Sequence, residues 1–281
     1  MHVATMADWL EPAKLTYACS AHYLDHVDGV NLSPEQQSFL KEIPDAMFRE
    51  TVRDFMVNQQ FRRDYWVKGA RKLSLLEQAE ILREHRVILI APRADVPLKV
   101  AGALGEANLH EEIYPPILDV LADHKIRSLA QIEQAVKGTR ITFPQLIQAI
   151  LVLCGANHLG TVQDEATLGK ARKSTDRINA YLIGKARSSD EITFLASPVT
   201  GGGVSVNRFQ QLFLLARSQG QKLPNEWAQF VWQVLAAQGQ KIVKEGKPLD
   251  TPEENLAELN AQAAAFAQKQ LPILRALQIA N

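Results

Sequence analysis

The sequence runs to 281 residues, enough for two modest domains with separate cores. Its 31 Lys and Arg balance 31 Asp and Glu, so no overall field favours nucleic acid or an anionic membrane. The composition, 46% hydrophobic and 22% charged, is that of a globular protein, and no apolar run approaches the length that crosses a bilayer. The first residues, MHVATMADWLEPAK, lack the basic start and continuous apolar stretch of a signal peptide, which makes the cytoplasm the expected compartment.

Helices dominate the first third. Ser33-Pro34-Glu35-Gln36 has the makings of a capping box, with Pro34 at the first helical position and Gln36 placed to reach back. Helical periodicity is expected from about Ala46 to Trp66, with Phe48, Val52, Phe55 and Gln59 near one face. Within it, ETVRDFMVNQQFRRDYWVKG (50–69) concentrates two adjacent arginines, an acid on each side of them and four aromatics. A second helix follows over 74–84. RVILIAP (86–92) is a strand candidate, VPLKVAG (96–102) is expected to pair with it as a hairpin, and GALGEAN (102–108) reads as a boundary between domains.

From Leu109 the pattern becomes a compact three-helix unit. EEIYPPILDVLADH supplies the first helix. Ser128-Leu129-Ala130-Gln131 caps a short second one, with Gly138 expected in the left-handed position that closes it. Thr142-Phe143-Pro144-Gln145 opens the third. Two helices joined by a short turn, followed by a polar segment, suggest a winged-helix arrangement in which ANHLGTVQDEATL (156–168) is the wing. Beyond it come a basic amphipathic helix over 170–187, the strand-like EITFLASP, two apolar helices over 206–220 and 226–241, and a last long helix capped by Thr251-Pro252-Glu253-Glu254. The fold class expected is mainly α with short β hairpins (α+β). A helical domain over 1–105 precedes a winged-helix-like domain with helical extension over 106–281.

Charge weighs against reading DNA with this module. Phosphate contacts need Lys and Arg, yet the helix from Thr142 to Cys154 carries neither. Residues 106–165 hold four bases against eight acids, a net charge of minus four. Lys170, Arg172, Lys173, Arg177, Lys185 and Arg187 form a second basic candidate, but Asp176 interrupts it and Tyr181 is its one stacking residue, so a solvated face is expected.

Neither cysteine has metal-ligand spacing. Cys154 ends the apolar run LIQAILVLC and reads as a reduced core residue; Cys19 reads as a small buried residue, with a reactive thiol as the alternative. His22 and His26, four apart with Asp25 and Asp28 nearby, have a spacing that suits zinc on one helical face, but no third histidine or HExxH frame accompanies them. Gly201, Gly202 and Gly203 stand between a strand-like and a helix-like segment, an order that superficially suits an anion loop. Without a flanking βαβ unit they read as a tight connection. There is no GxGxxG, GxxxxGK[ST] or GxSxG, so no catalytic, cofactor-binding or metal residue is assigned.

AKLTYACSAHYLDHVDGVNL (13–32) followed by ETVRDFMVNQQFRRDYWVKG resembles the methyltransferase regulatory domain found in bacterial class I methyltransferases. The resemblance is carried most specifically by the D-F-x-x-N-x-x-F-R run, here Asp54, Phe55, Asn58, Phe61 and Arg62. ITFLASPVTGGGVSVNRFQQLFLLA (192–216) is similar to the C-terminal extension that often accompanies that domain, and related bacterial protein lysine methyltransferases share the plan. In the family the regulatory part follows a catalytic domain that binds S-adenosylmethionine. No such domain is legible here, so the chain resembles the downstream half of such an enzyme. The resemblance implies a non-catalytic regulatory or substrate-recognition role, with S-adenosylmethionine on a separate catalytic domain and a protein as methyl acceptor. It implies no nucleic acid or membrane partner, and self-association into a homo-oligomer stays open. Asp54, Asn58, Phe61 and Arg62 are expected to fix their segment against the catalytic domain or a second subunit; the alternative is that Asp54 and Arg62 pair only within their own domain. The competing function is a winged-helix nucleic-acid-binding regulator, which the acidic 106–165 module opposes. An enzyme using Cys19 or the His22–His26 pair is a third reading.

Overall fold

The computed structural model describes residues 2–280. By contact the chain divides into two compact units, with the division along the sequence between Gly160 and Thr161. It is mainly helical, with short antiparallel hairpins, as the hydrophobic periodicity predicts.

The first unit begins with α1 (Val3–Leu10), β1 (Leu15–Ser20), a 3-10 turn over Tyr23–His26, and α2 (Asp28–Asn31). Next come α3 (Pro34–Glu42), α4 (Ala46–Met56), β2 (Asp64–Lys68) and α5 (Leu75–Glu84). Ser33 accepts from the Gln36 amide at 3.3 Å while Gln36 returns to the Ser33 amide at 2.9 Å, and Ser74 with Glu77 repeats the box on α5. The unit continues through β3 (Arg86–Leu89), β4 (Lys99–Gly102), β5 (Gly105–Asn108), α6 (Tyr114–Val120), β6 (Arg127–Ser128), α7 (Leu129–Ala135), α8 (Phe143–Gly155) and β7 (Leu159–Thr161). The strands order as β6-β3-β7, and against them pack the fully buried Ile117, Leu118, Leu121, Ile132, Leu146 and Leu153. This is the main core of the unit. A much smaller cluster, Leu32, Leu40 and Ile43 with Val52, Met56 and Val57 against it, serves α3 and α4.

Two polar devices tie the earlier elements to the β4–β5 hairpin. The buried Asn31 donates to the carbonyls of Leu24 (2.7 Å) and Val27 (3.1 Å) and accepts from the Ala103 amide (3.1 Å). At Gly102 any Cβ would come within 2.1 Å of the Val30 carbonyl oxygen, so only glycine permits this approach of backbone to backbone.

Four expectations need correction. The helix predicted to reach Trp66 stops at Met56, because Asn58 adopts a left-handed φ of 51° and Asp64–Lys68 finds a ladder with β1. Residues 99–102 pair with 105–108 rather than with β3, whose two sides are taken by β6 and β7; the segment read as a boundary loop is therefore a hairpin strand. Gly138 does not take a positive φ: α7 ends at Ala135, and Thr139 closes it through its amide and hydroxyl on the Val136 carbonyl. The expected wing is not a hairpin of its own. Leu159–Thr161 joins the sheet of β3, an upstream strand, and Asp164 then caps a helix by accepting from the Thr167 amide at 2.8 Å.

The second unit contains α9 (Glu165–Lys185), the hairpin β8 (Phe194–Ala196) and β9 (Gly203–Ser205), α10 (Arg208–Ser218), α11 (Pro224–Ala236), the hairpin β10 (Val243–Lys244) and β11 (Lys247–Pro248), α12 (Pro252–Ala265) and α13 (Leu271–Ala276). A π-helical turn over Phe266–Gln270 joins the last two helices. Pro272 has no N–H for the Gln268 carbonyl, which removes one α-helical bond at this place. The turn points Phe266 into the core, where its ring meets Phe213 at 5.5 Å and Trp227 at 6.2 Å. Buried Asn179 pins α9 to β8 through paired bonds with the Ala196 backbone at 2.8 and 2.7 Å.

Candidate functional site

β1 and β2 pair antiparallel, Tyr17 opposite Trp66 and Cys19 opposite Tyr65, with a bulge at Ala18 between them. The pairing brings the end of the 57–63 turn back over α4. There Arg62 meets three carboxylates. Its Nε and Nη2 hold both oxygens of Asp64 at 2.9 and 3.0 Å, Nη2 also reaches Glu50 at 3.0 Å, and Nη1 bonds Asp54. The Tyr17 hydroxyl accepts from Nη2 and donates to Glu50, each at 3.0 Å, while the guanidinium lies 5.5 Å from the Tyr17 ring centre. Trp66 closes the side with an edge contact on Tyr17 at 5.6 Å. Glu50 and Asp54 stand one turn apart on α4 and so face the same way.

The electrostatics are unequal. One cation serves three acids, so burial raises the Asp54 carboxyl above its ordinary value in spite of the opposing pull of Arg62. Burial also works against the Arg62 charge, but its hydrogen bonds to Asp64 and Glu50 prevail and hold the guanidinium firmly protonated. Burial and the neighbouring Glu50 push the Tyr17 phenol far up, so it stays a neutral donor. Such a knot, with side chains between 9% and 24% exposed, fixes a conformation more than it supplies stability.

Each motif residue now has a place. Asp54 and Arg62 are brought together inside the first unit. Asn58 is the left-handed residue just past the end of α4, where asparagine is tolerated better than most side chains. The Gln59 amide group donates to the Phe61 carbonyl at 2.7 Å, and Gln60 to the Asn58 side chain at 2.9 Å, so the turn is tied internally. Phe61, by contrast, is 88% exposed, and Phe55 is 69% exposed. Sequence reasoning missed Tyr17, Glu50 and Asp64 as Arg62's partners. The signal for two of them was present, in the i, i+4 spacing of Glu50 with Asp54 and in the acid two residues past Arg62.

A cavity of about 220 Å³ adjoins the knot, lined by Tyr17, Cys19, Ser20, Asp25, His26 and Arg53 among others. His22 and His26 do not share an α-helical face: His22 precedes a 3-10 turn and sits 3.3 Å from Asp25, while His26 Nε2 meets the Ser20 carbonyl at 2.9 Å. Among the described residues no group of three His, Cys, Asp or Glu side chains is placed to hold a metal ion. Cys19 is half-buried, and burial together with Asp64 raises its thiol; Cys154 lies in the core, its thiol pushed up to about 12 by burial. α8 buries Leu146, Ala149, Ile150, Val152, Leu153 and Cys154, so it is a core helix of the first unit.

In the second unit, Gly201 (φ 71°) and Gly202 turn the β8–β9 hairpin that Gly203 enters, a tight connection with Gln163 against Gly201. On α9, Lys170, Lys173, Arg177 and Lys185 are exposed, with the Lys185 ammonium 5.1 Å from the Tyr181 ring centre. No helix among the described residues is long and apolar enough to cross a membrane.

Residues 1–68, which contain every member of the Arg62 knot, match the model of a family described as a predicted methyltransferase regulatory domain. The uncharacterized protein sll1526 of Synechocystis sp. is 42% identical over 276 residues, covering 98% of this chain and 53% of that protein. Among solved structures, PKMT2 from Rickettsia typhi in complex with AdoHcy aligns with a TM-score of 0.55 at 12% identity, over 95% of this chain and 56% of its own. A second structure of PKMT2 from Rickettsia typhi aligns with a TM-score of 0.52 at 13% identity, over 97% of this chain and 58% of its own. At these identities the likeness is one of fold. The chain spans a little over half the length of each of these relatives.

Proposed function

We propose that this chain is the regulatory and substrate-recognition portion of an S-adenosylmethionine-dependent methyltransferase acting on protein side chains. The cofactor belongs, in this reading, to a catalytic portion outside these 281 residues. The observation that carries it is a coincidence of two likenesses: residues 1–68 match the regulatory-domain family, and 95% of the chain shares its fold with a protein whose structure holds AdoHcy. Charge supports a protein acceptor. Residues 106–165 carry net negative charge, the sign that draws a lysine-bearing segment. The Arg62 knot, with Asp54 inside it and Asn58 and Phe61 on the turn it holds, would keep the segment in the conformation its catalytic partner meets.

Calorimetric titration of S-adenosylmethionine tests this. It is added to the chain alone and to a chimera in which the chain replaces the matching half of the Synechocystis protein. Heat from the chimera with none from the chain is the expected result. Saturable binding by the chain alone would place the cofactor site within these residues and overturn the division of labour.

A further inference from the structure

Phe48 and Phe55 lie seven residues, two turns, apart on α4 and therefore point the same way. They are 58% and 69% exposed. Val52 and Met56, on the adjacent side, pack against Leu32, Leu40 and Ile43. α4 thus turns Val52 and Met56 inward and leaves Phe48 and Phe55 exposed beside them, Phe55 with the His2 ring 5.5 Å from its own, and it buries no residue fully. Phe61 stands in the turn beyond its end, and Tyr65, 60% exposed, follows in β2. Among the described residues nine aromatic side chains are exposed, and seven of them fall in the first 68 residues, a quarter of the chain: Trp9, Tyr23, Phe39, Phe48, Phe55, Phe61 and Tyr65. The other two are Tyr181 and Phe194. Such a concentration of exposed aromatics in one stretch of chain is what an association surface there would require.

We propose that the outward face of α4, Phe48 and Phe55, together with Phe61, seats the part of the longer relatives that this chain does not span. On the functional reading above, from which this follows, that part is the methyltransferase catalytic portion. Two facts select this occupant over a second copy of the chain. The aromatic concentration coincides with the segment that matches a regulatory-domain family, so it belongs to the piece shared with methyltransferase-associated proteins. And the alignments leave 47% of the Synechocystis protein and 44% of the AdoHcy-bound PKMT2 chain outside this fold, enough chain in either relative to form a second domain against it. The Arg62 knot has a positioning role. By fixing Arg62 beside Phe61, and with the Gln59 bond to the Phe61 carbonyl, it holds the aromatic ready and lowers the ordering cost of association.

Hydroxyl-radical footprinting of the aromatic rings reads the surface directly, on the chain alone and on the chimera described above. Phe48, Phe55 and Phe61 are expected to become severalfold less reactive in the chimera, with Tyr181 and Phe194 unchanged. Equal reactivity in a chimera that binds S-adenosylmethionine would overturn the surface and leave the functional reading intact. A chimera that folds without binding the cofactor would remove the functional reading and this occupant with it. Protection in the isolated chain that grows with concentration would assign the face to a second copy and overturn the proposal. Independently of the chimera, the Phe48→Ser/Phe55→Ser variant of the chain is expected to keep its melting temperature and bind less of a hydrophobic dye. A large fall in melting temperature would place these rings in the chain's own core and refute the assignment.

Discussion

Two helices of the first unit, α4 and α8, are both amphipathic enough to be recognised from sequence, and the molecule uses them in opposite ways. α8 buries six residues against the β6-β3-β7 sheet and its helices, whereas α4 buries none and shares a core of three aliphatic residues. Periodicity therefore specifies a helix without specifying what covers it. Around α8, apolar packing determines position. Around α4 that task passes to a polar knot, because so little apolar area is enclosed.

The largest effect is expected where packing is densest. Leu153→Ala removes a side chain with no exposure from the centre of the first unit, and should cost about 3 kcal/mol, read from urea unfolding. A loss below about 1 kcal/mol would mean that α8 is not central to that core. The next largest lies in the knot. Arg62→Met keeps the length of the side chain but leaves Glu50, Asp54 and Asp64 together without their cation, at a cost of about 2–3 kcal/mol. The Arg62→Met/Asp54→Asn pair should recover part of that loss, which a merely steric role for Arg62 does not predict.

Acid titration separates the two regions further. Asp54 has a folded pKa above the ordinary 3.8, so the folded chain holds its proton more tightly than the unfolded chain does. Its contribution to stability is complete below 3.8 and is lost as pH rises through the raised value. Asp123, held by two bonds from Arg127 at 2.6 and 2.9 Å, is depressed instead; its contribution is present above 3.8 and is lost as pH falls below it. Asp54→Asn should therefore flatten the decline in urea midpoint as pH is raised from 4. Asp123→Asn should weaken the decline on acidification below 4. Identical pH profiles for the two variants would show that the acids do not differ in the way the structure places them.

Much of the fold was legible because its signals are local. The capping boxes at Ser33, Ser128 and Thr251 form as the spacing requires, since cap and partner lie three residues apart on one turn, and at Thr142 the Gln145 side chain returns to the cap amide at 2.9 Å. Pairing across distance was not legible. Nothing near Val100 announces that its strand pairs with 105–108, and nothing near Leu159 points to β3, more than 60 residues upstream. The buried asparagines were equally silent, since Asn31 and Asn179 act by reaching backbone groups of other elements. At the candidate site the motif residues were visible. Their environment was not, because Tyr17 arrives from a strand 45 residues away in sequence.

The smallest effect tests the comparison most sharply. Phe61 belongs to the same motif as Arg62 and is its immediate neighbour, yet the two should behave as opposites. A phenylalanine 88% exposed has almost no apolar area to lose to water on unfolding, so Phe61→Ser should leave the free energy of urea unfolding within about 0.5 kcal/mol of the parent. Arg62→Met should not. If Phe61→Ser instead destabilises the chain as much as Arg62→Met does, the turn 57–61 depends on the ring itself, and the polar knot is not what holds it. If the two separate as expected, the motif divides cleanly: Asp54, Asn58 and Arg62 set the backbone, and Phe61 is left facing outward with no role in the folding of the unit that carries it.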